Sequence, residues 1–151
     1  MKKSFSFVAC FLALLLAVPA AWAGERAVLL PVTGPLTVNE KAQLAEDVVT
    51  GLSGRYELVH GKEVDRFVKQ AFEEENHKRD CDEASCYRRI AAQYHADKIA
   101  AVRVAQIAEG QFLLTFNLYD VMTGEMTISR SKECKDCSFV KLKAIGSELF
   151  K

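Results

Sequence analysis

From Lys98 onward the hydrophobic period of this chain changes from helical to two, and that change restricts the fold more than any other feature. In Gln111 to Tyr119 the residues Phe112, Leu114, Phe116 and Leu118 alternate with less apolar neighbours, the pattern of a strand with one buried face. Ile99 to Ile107 reads as a strand before it, and Met126 to Lys132 as one after it. Glu109-Gly110 and Thr123-Gly124 separate the three at hairpin spacing, which predicts an antiparallel meander.

Upstream the pattern is mixed. Ala27 to Val32 is a continuous apolar run ending at Thr33-Gly34-Pro35, as expected of a buried first strand. Thr37-Val38-Asn39-Glu40 has the spacing of a capping box, so a helix should begin near Val38 or Asn39. Leu44, Val48, Val49 and Leu52 share one side of that helix, and Gly51 and Gly54 mark its end. Tyr56 to Val59 alternates as a short second strand. Val64, Phe67, Val68, Ala71 and Phe72 form the stripe of a second helix, whose tail runs into the charged stretch from Glu73 to Asp80. Tyr87, Ile90, Ala91 and Tyr94 mark a third helix. Phe139, Leu142, Ile145 and Leu149 mark a last one from about Ser138. The expected fold class is α/β (α+β), in the order β-α-β-α-α-β-β-β-α: a mixed sheet of about five strands with helices packed on it.

The amino terminus sets the compartment. Met1-Lys2-Lys3 is followed by an apolar run from Phe5 to Val18 broken only by Ser6, then Pro19 and Ala21-Trp22-Ala23. This is the layout of a secretory signal peptide over residues 1–23, cut between Ala23 and Gly24. A retained membrane anchor is the rival reading, opposed by the Ala-Trp-Ala site so close behind the run. Lipidation at Cys10 fails because the apolar run continues past it. Removing the first 23 of 151 residues leaves 128, expected to form one domain over 24–151. Lys2 and Lys3 leave with the signal, so of 20 basic and 20 acidic residues the mature chain keeps 18 and 20. That balance offers nothing to nucleic acid or to anionic lipid. A periplasmic location follows, with no stable membrane insertion after cleavage.

Of five cysteines, Cys81, Cys86, Cys134 and Cys137 remain after export, an even number suited to disulfides. Each close pair can bridge locally at the start of a helix, although four cysteines allow three pairings. A four-cysteine zinc site would want two CxxC units, and Cys81 and Cys86 are spaced more widely. Thiol–disulfide oxidoreduction at Cys134 and Cys137 is the alternative activity, since the pair stands before a helix amino terminus. Against it, redox domains of the thioredoxin kind carry this motif early, with much sheet to follow. The three histidines, His60, His77 and His95, are scattered, and His95 with Asp97 lacks a third partner for metal or acid–base work. Asp80, Asp82 and Glu83 are too few and irregular for calcium and suit a helix amino terminus. No serine stands in a nucleophile elbow and no phosphate-binding glycine loop follows the first strand. No catalytic, cofactor-binding or metal residue is therefore assigned, and no cofactor is expected.

Four segments carry a family resemblance: Ala27 to Pro31, Leu58 to Val64, Tyr94-His95-Ala96-Asp97-Lys98-Ile99, and Leu118 to Glu125 with its Asp-x-x-Thr-Gly-Glu. Their succession resembles the TolB amino-terminal-like and CsgG-like domains of Gram-negative envelopes, a group that includes the periplasmic lipoprotein activators of peptidoglycan synthases. The paired cysteines are similar to those of small single-domain periplasmic members. The resemblance implies a mixed sheet with helices on its faces, used as a non-catalytic adaptor that contacts an envelope protein partner. It supplies no catalytic residues, no oligomeric state and no partner's identity. Edge strands and the loop from Thr33 to Val38 are the expected docking places.

Overall fold

The computed structural model describes residues 24–76 and 83–151. The first 23 residues, His77 and Cys81 lie outside them, as does the charged tail from His77 to Asp82. The elements run β1 (Glu25–Leu29), α1 (Val38–Leu52), β2 (Tyr56–Val59), α2 (Lys62–Asn76), α3 (Glu83–Tyr94), β3 (Lys98–Ala108), β4 (Gln111–Asp120), β5 (Met126–Cys134) and α4 (Phe139–Leu149). The expected element order and mixed sheet are both found.

The five strands lie in the order β2-β1-β3-β4-β5. β1 lies between β2 and β3 and is parallel to both, pairing Ala27 with Leu58 on one side and with Lys98 on the other. Its Ala27 and Val28 are fully buried, as an apolar run between two parallel strands requires. The meander supplies the antiparallel half, through β3–β4 and β4–β5.

Alternation along the strands sends side chains to two cores. On one face Leu29, Ala100, Val102, Val104, Leu114, Phe116 and Leu118 pack beneath α1 and α4. On the other, Val28, Leu30 and Ile99 pack beneath α2 and α3, with Val64, Val68 and Ile90. Thr37 caps α1 as its spacing predicts: its hydroxyl accepts from the Glu40 amide while the Glu40 carboxylate accepts from the Thr37 amide.

Two local outcomes differ from the sequence expectation. β1 ends at Leu29 and not at Val32, because Pro31 has no N–H to continue a ladder. The chain nevertheless stays beside β3: Leu30 N donates to Ala100 O (2.9 Å), Thr33 N to Val102 O (3.1 Å), and Val104 N to Thr33 O (2.8 Å). Gly34 then turns away at φ 127°, where a Cβ would lie 2.0 Å from Val104 O. Gly51, expected at the end of the first helix, lies inside its last turn. It is small there because Phe150 sits against it; a Cβ would come within 2.8 Å of the Phe150 Cβ.

Candidate functional site

Two of the four segments of the family resemblance, Tyr94 to Ile99 and Leu118 to Glu125, meet at one pole of the sheet, where β1 and β3 begin and β4 ends. The other two lie toward the far ends of β1 and β2. Arg26 in β1 pairs with Glu57 in β2 (2.6 Å), while its backbone N–H donates to the Asp97 carboxylate (3.2 Å). Asp97 N donates back to Arg26 O (2.8 Å), and Asp97 O accepts from Val121 N (3.0 Å). Lys98 pairs with Asp120 (2.5 Å) and lies 3.7 Å from Glu25. Asp120 also accepts from the Thr123 amide (2.9 Å), and its backbone closes the turn with Gly124 and Glu125. Gly124 meets that turn's demand for a positive φ, 71°. Asp-x-x-Thr-Gly-Glu is therefore a turn-locking device. The Lys98 hydrogen bond, aided by the Thr123 amide, holds the Asp120 carboxyl at about 2. These side chains satisfy one another and hold the strands in register.

The cysteines act likewise. Cys134 and Cys137 are disulfide-bonded. Strand β5 runs as far as Cys134, two residues beyond the expected Lys132, and pairs it with Phe112. Cys137 N donates to Gly110 O (2.9 Å), so the bridge joins the β3–β4 turn to the entrance of α4. Cys134 is only 2% exposed. A redox CxxC needs its first sulfur accessible to substrate, and here that sulfur is sealed in the core. Cys86 is fully buried in α3, its sulfur facing the Ala71 carbonyl at 3.9 Å. Its proposed mate Cys81 lies outside the described residues. His95 adopts φ 51° at the end of α3, and His60 lies 3.9 Å from Glu46. Among the described residues no group of three His, Cys, Asp or Glu side chains could hold a metal. No described helix is long and apolar enough to cross a membrane.

What the helices leave uncovered is more informative. α2 and α3 lie over β1, the first part of β3 and the Tyr119 end of β4, and no described helix packs in either core on the same face of the rest of β4 and of β5. The register places Ala101 beside Asn117 and Ser129, and Arg103 beside Thr115 and Ser131. Thr115 and Ser131 share a hydrogen bond (3.2 Å), and Ser129 donates to Asn117 (2.9 Å). A groove of about 930 Å³ runs along this face, with Pro31, Thr33, Gly34 and Pro35 at one end and Phe72 and Tyr87 forming its aromatic wall. Tyr87 packs against Tyr119, ring centroids 5.0 Å apart and planes tilted by 52°, and its hydroxyl donates to Glu83. Burial, reinforced by that bond to Glu83, pushes the Tyr87 hydroxyl far above its ordinary range. Tyr119 is raised in the same way, by burial first and the Glu83 charge second. Both phenols therefore stay protonated and serve as hydrogen-bonding groups. The groove can hold a ligand of mixed apolar and hydrogen-bonding character.

The sequence reading missed this face while containing its signal. With Phe112, Leu114, Phe116 and Leu118 inward, the outward set must be Leu113, Thr115, Asn117 and Tyr119, whose polar middle, Thr115 and Asn117, marks a stretch that no apolar helix face would cover. Of the expected docking places, the loop from Thr33 borders the groove.

No protein-family model and no curated protein sequence matches the chain. Solved structures do. The C-terminal domain of LpoB from Salmonella enterica superposes with a TM-score of 0.50 at 18% identity, over 82% of this chain and 91% of that one. The fold is shared with LpoB. E. coli LpoB, solved by NMR, gives 0.51 at 16% identity, over 75% of this chain and 57% of that one. TolB from Acinetobacter baumannii is matched over 83% of this chain and 27% of its own, at 15% identity and a TM-score of 0.48.

Proposed function

We propose that this chain is an exported, non-catalytic adaptor of the Gram-negative cell envelope, a TolB- and CsgG-like domain that docks another envelope protein. The observation that carries the reading is the uncovered sheet face with its groove, on a fold shared with LpoB. Such a face is concave, partly apolar and furnished with hydrogen-bonding side chains, as binding sites are. β1 begins at Glu25, directly after the expected cut at Ala23, so cleavage would spare every strand. The mature chain would be one periplasmic domain over 24–151. Oxidising conditions there suit the Cys134–Cys137 bridge and a second bridge between Cys81 and Cys86.

The test is mild chemical cross-linking of the tagged chain in its native cells, followed by purification and mass spectrometry. One envelope protein recovered reproducibly, together with a bait whose first residue is Gly24, is the expected result. Turnover of an envelope substrate by the purified chain alone, or a bait that keeps Met1 and brings down only cytoplasmic proteins, would overturn the reading.

A further inference from the structure

The groove is lined by one cation, Arg103, and one acid, Glu83, while Glu133, beside Leu113 on the same face, stands outside that lining. Thr115 and Ser131, and Asn117 and Ser129, are hydrogen-bonded to each other, so they are already satisfied as pairs. Arg103 stands in the same row as Thr115 and Ser131 and is exposed. Several cations elsewhere are matched: Arg26 with Glu57, Arg89 with Glu74, Lys98 with Asp120, Lys132 with Glu148 and Lys143 with Asp47. Among the described residues no carboxylate pairs with Arg103. Glu83, at the margin of the groove, already accepts from Tyr87.

Backbone geometry narrows how anything could bind here. β4 is paired on both sides, and β3 is paired on its β1 side as far as Val104. Backbone groups at a strand edge lie in the plane of the sheet and not on its face. Recognition across this face must therefore come from side chains. The strongest directional donor among them is the Arg103 guanidinium, whose planar fork matches a carboxylate with two parallel hydrogen bonds. Ala101 and Ala105 flank it on the groove floor and leave room for a bound chain to lie close.

We propose that the groove takes an extended acidic segment of the partner protein, with one Asp or Glu carboxylate seated on Arg103 and flanking residues lying along the Tyr87 wall. The proposal rests on the adaptor reading and specifies its chemistry. A single cation on a mature chain with more acids than bases is too little for an anionic lipid surface or a nucleic acid. It is what one paired carboxylate needs.

A photo-activatable amino acid at Thr115 or Ser131 in the full-length chain, expressed in its native cells, tests this directly. The expected product is an envelope protein joined through a segment containing Asp or Glu. Arg103→Glu should cut its yield at least ten-fold and Arg103→Gln should act in the same direction, while both variants melt within a few degrees of wild type. Exchanging the contacted acid on the partner for Arg should restore cross-linking to Arg103→Glu. Undiminished cross-linking in a folded Arg103→Glu variant would overturn the proposal, as would a product containing only a second copy of this chain, glycan or lipid. Capture from a probe at Thr127 on the β5 edge, with Thr115 and Ser131 silent, would refute the acidic-segment site and leave the adaptor reading standing. Silence from every position would remove both.

Discussion

Phe150 gives the sharpest test of how the chain closes its core. The side chain is 1% exposed and lies edge-on to Phe116, with ring centroids 5.6 Å apart. It also rests against Gly51 of α1 and Gly146 of α4, the two glycines that let these helices meet. Replacing it with alanine removes a buried ring and leaves a cavity at a junction that cannot easily collapse, a loss of about 3–5 kcal/mol. At about 4 °C per kcal/mol for a chain this size, the melting temperature should fall by roughly 12–20 °C.

The glycines then separate this account from a generic loss of apolar area. At Gly146 a Cβ would lie 3.0 Å from the Phe150 ring and 3.2 Å from Leu44, so Gly146→Ala trades crowding against helix propensity. Without the ring the crowding largely disappears, and the propensity gain of up to about 1 kcal/mol should show. At Gly51 the obstacle is the Phe150 Cβ itself, which alanine retains, so Gly51→Ala should destabilise both backgrounds by about 1–3 kcal/mol. Urea denaturation of the four combinations in each cycle gives the coupling energies. Equal behaviour of the two glycines, or a Phe150→Ala cost below about 1.5 kcal/mol, would refute the packing described here.

Three further outcomes are expected. Gly34→Ala would drive a Cβ into the Val104 carbonyl at a φ that favours glycine, so it should cost several kcal/mol and be detected as a lowered urea midpoint or lost soluble yield. The folded Asp120 carboxyl, at about 2, lies below its ordinary value near 4, so its contribution is present above pH ~4 and is lost as pH falls through ~2; Asp120→Asn should flatten that part of the acid-unfolding curve. Reducing the Cys134–Cys137 bridge opens a loop of only four residues, worth about 2 kcal/mol of chain entropy, so melting with and without a phosphine reductant should differ modestly.

Much of this architecture was legible because local signals and tertiary demands agree. The period-two block from Lys98, the Thr37–Glu40 capping box and the apolar run at Ala27 each name an element without reference to the rest of the chain. Three features depend on distant partners and so were not legible. Gly51 resembles a helix terminator until Phe150 is placed beside it. Asp120 resembles a turn residue until Lys98 and Thr123 converge on it. Pro31 reads as part of the first strand until the ladder is seen to stop at Leu29, with the chain keeping beside β3 through single hydrogen bonds. The candidate site was half legible. Its polar alternation was present at Thr115 and Asn117, but which face the helices would leave open depends on where they pack.

Hydrogen–deuterium exchange of residues 24–151, alone and with the purified partner from cross-linking, tests the central claim most directly. An adaptor docking through the uncovered face predicts slowed exchange confined to residues 101–106, 113–119 and the Thr33–Pro35 loop, with α1 and α4 unchanged. Protection on the α1–α4 side, or along the β5 edge alone, would contradict that claim.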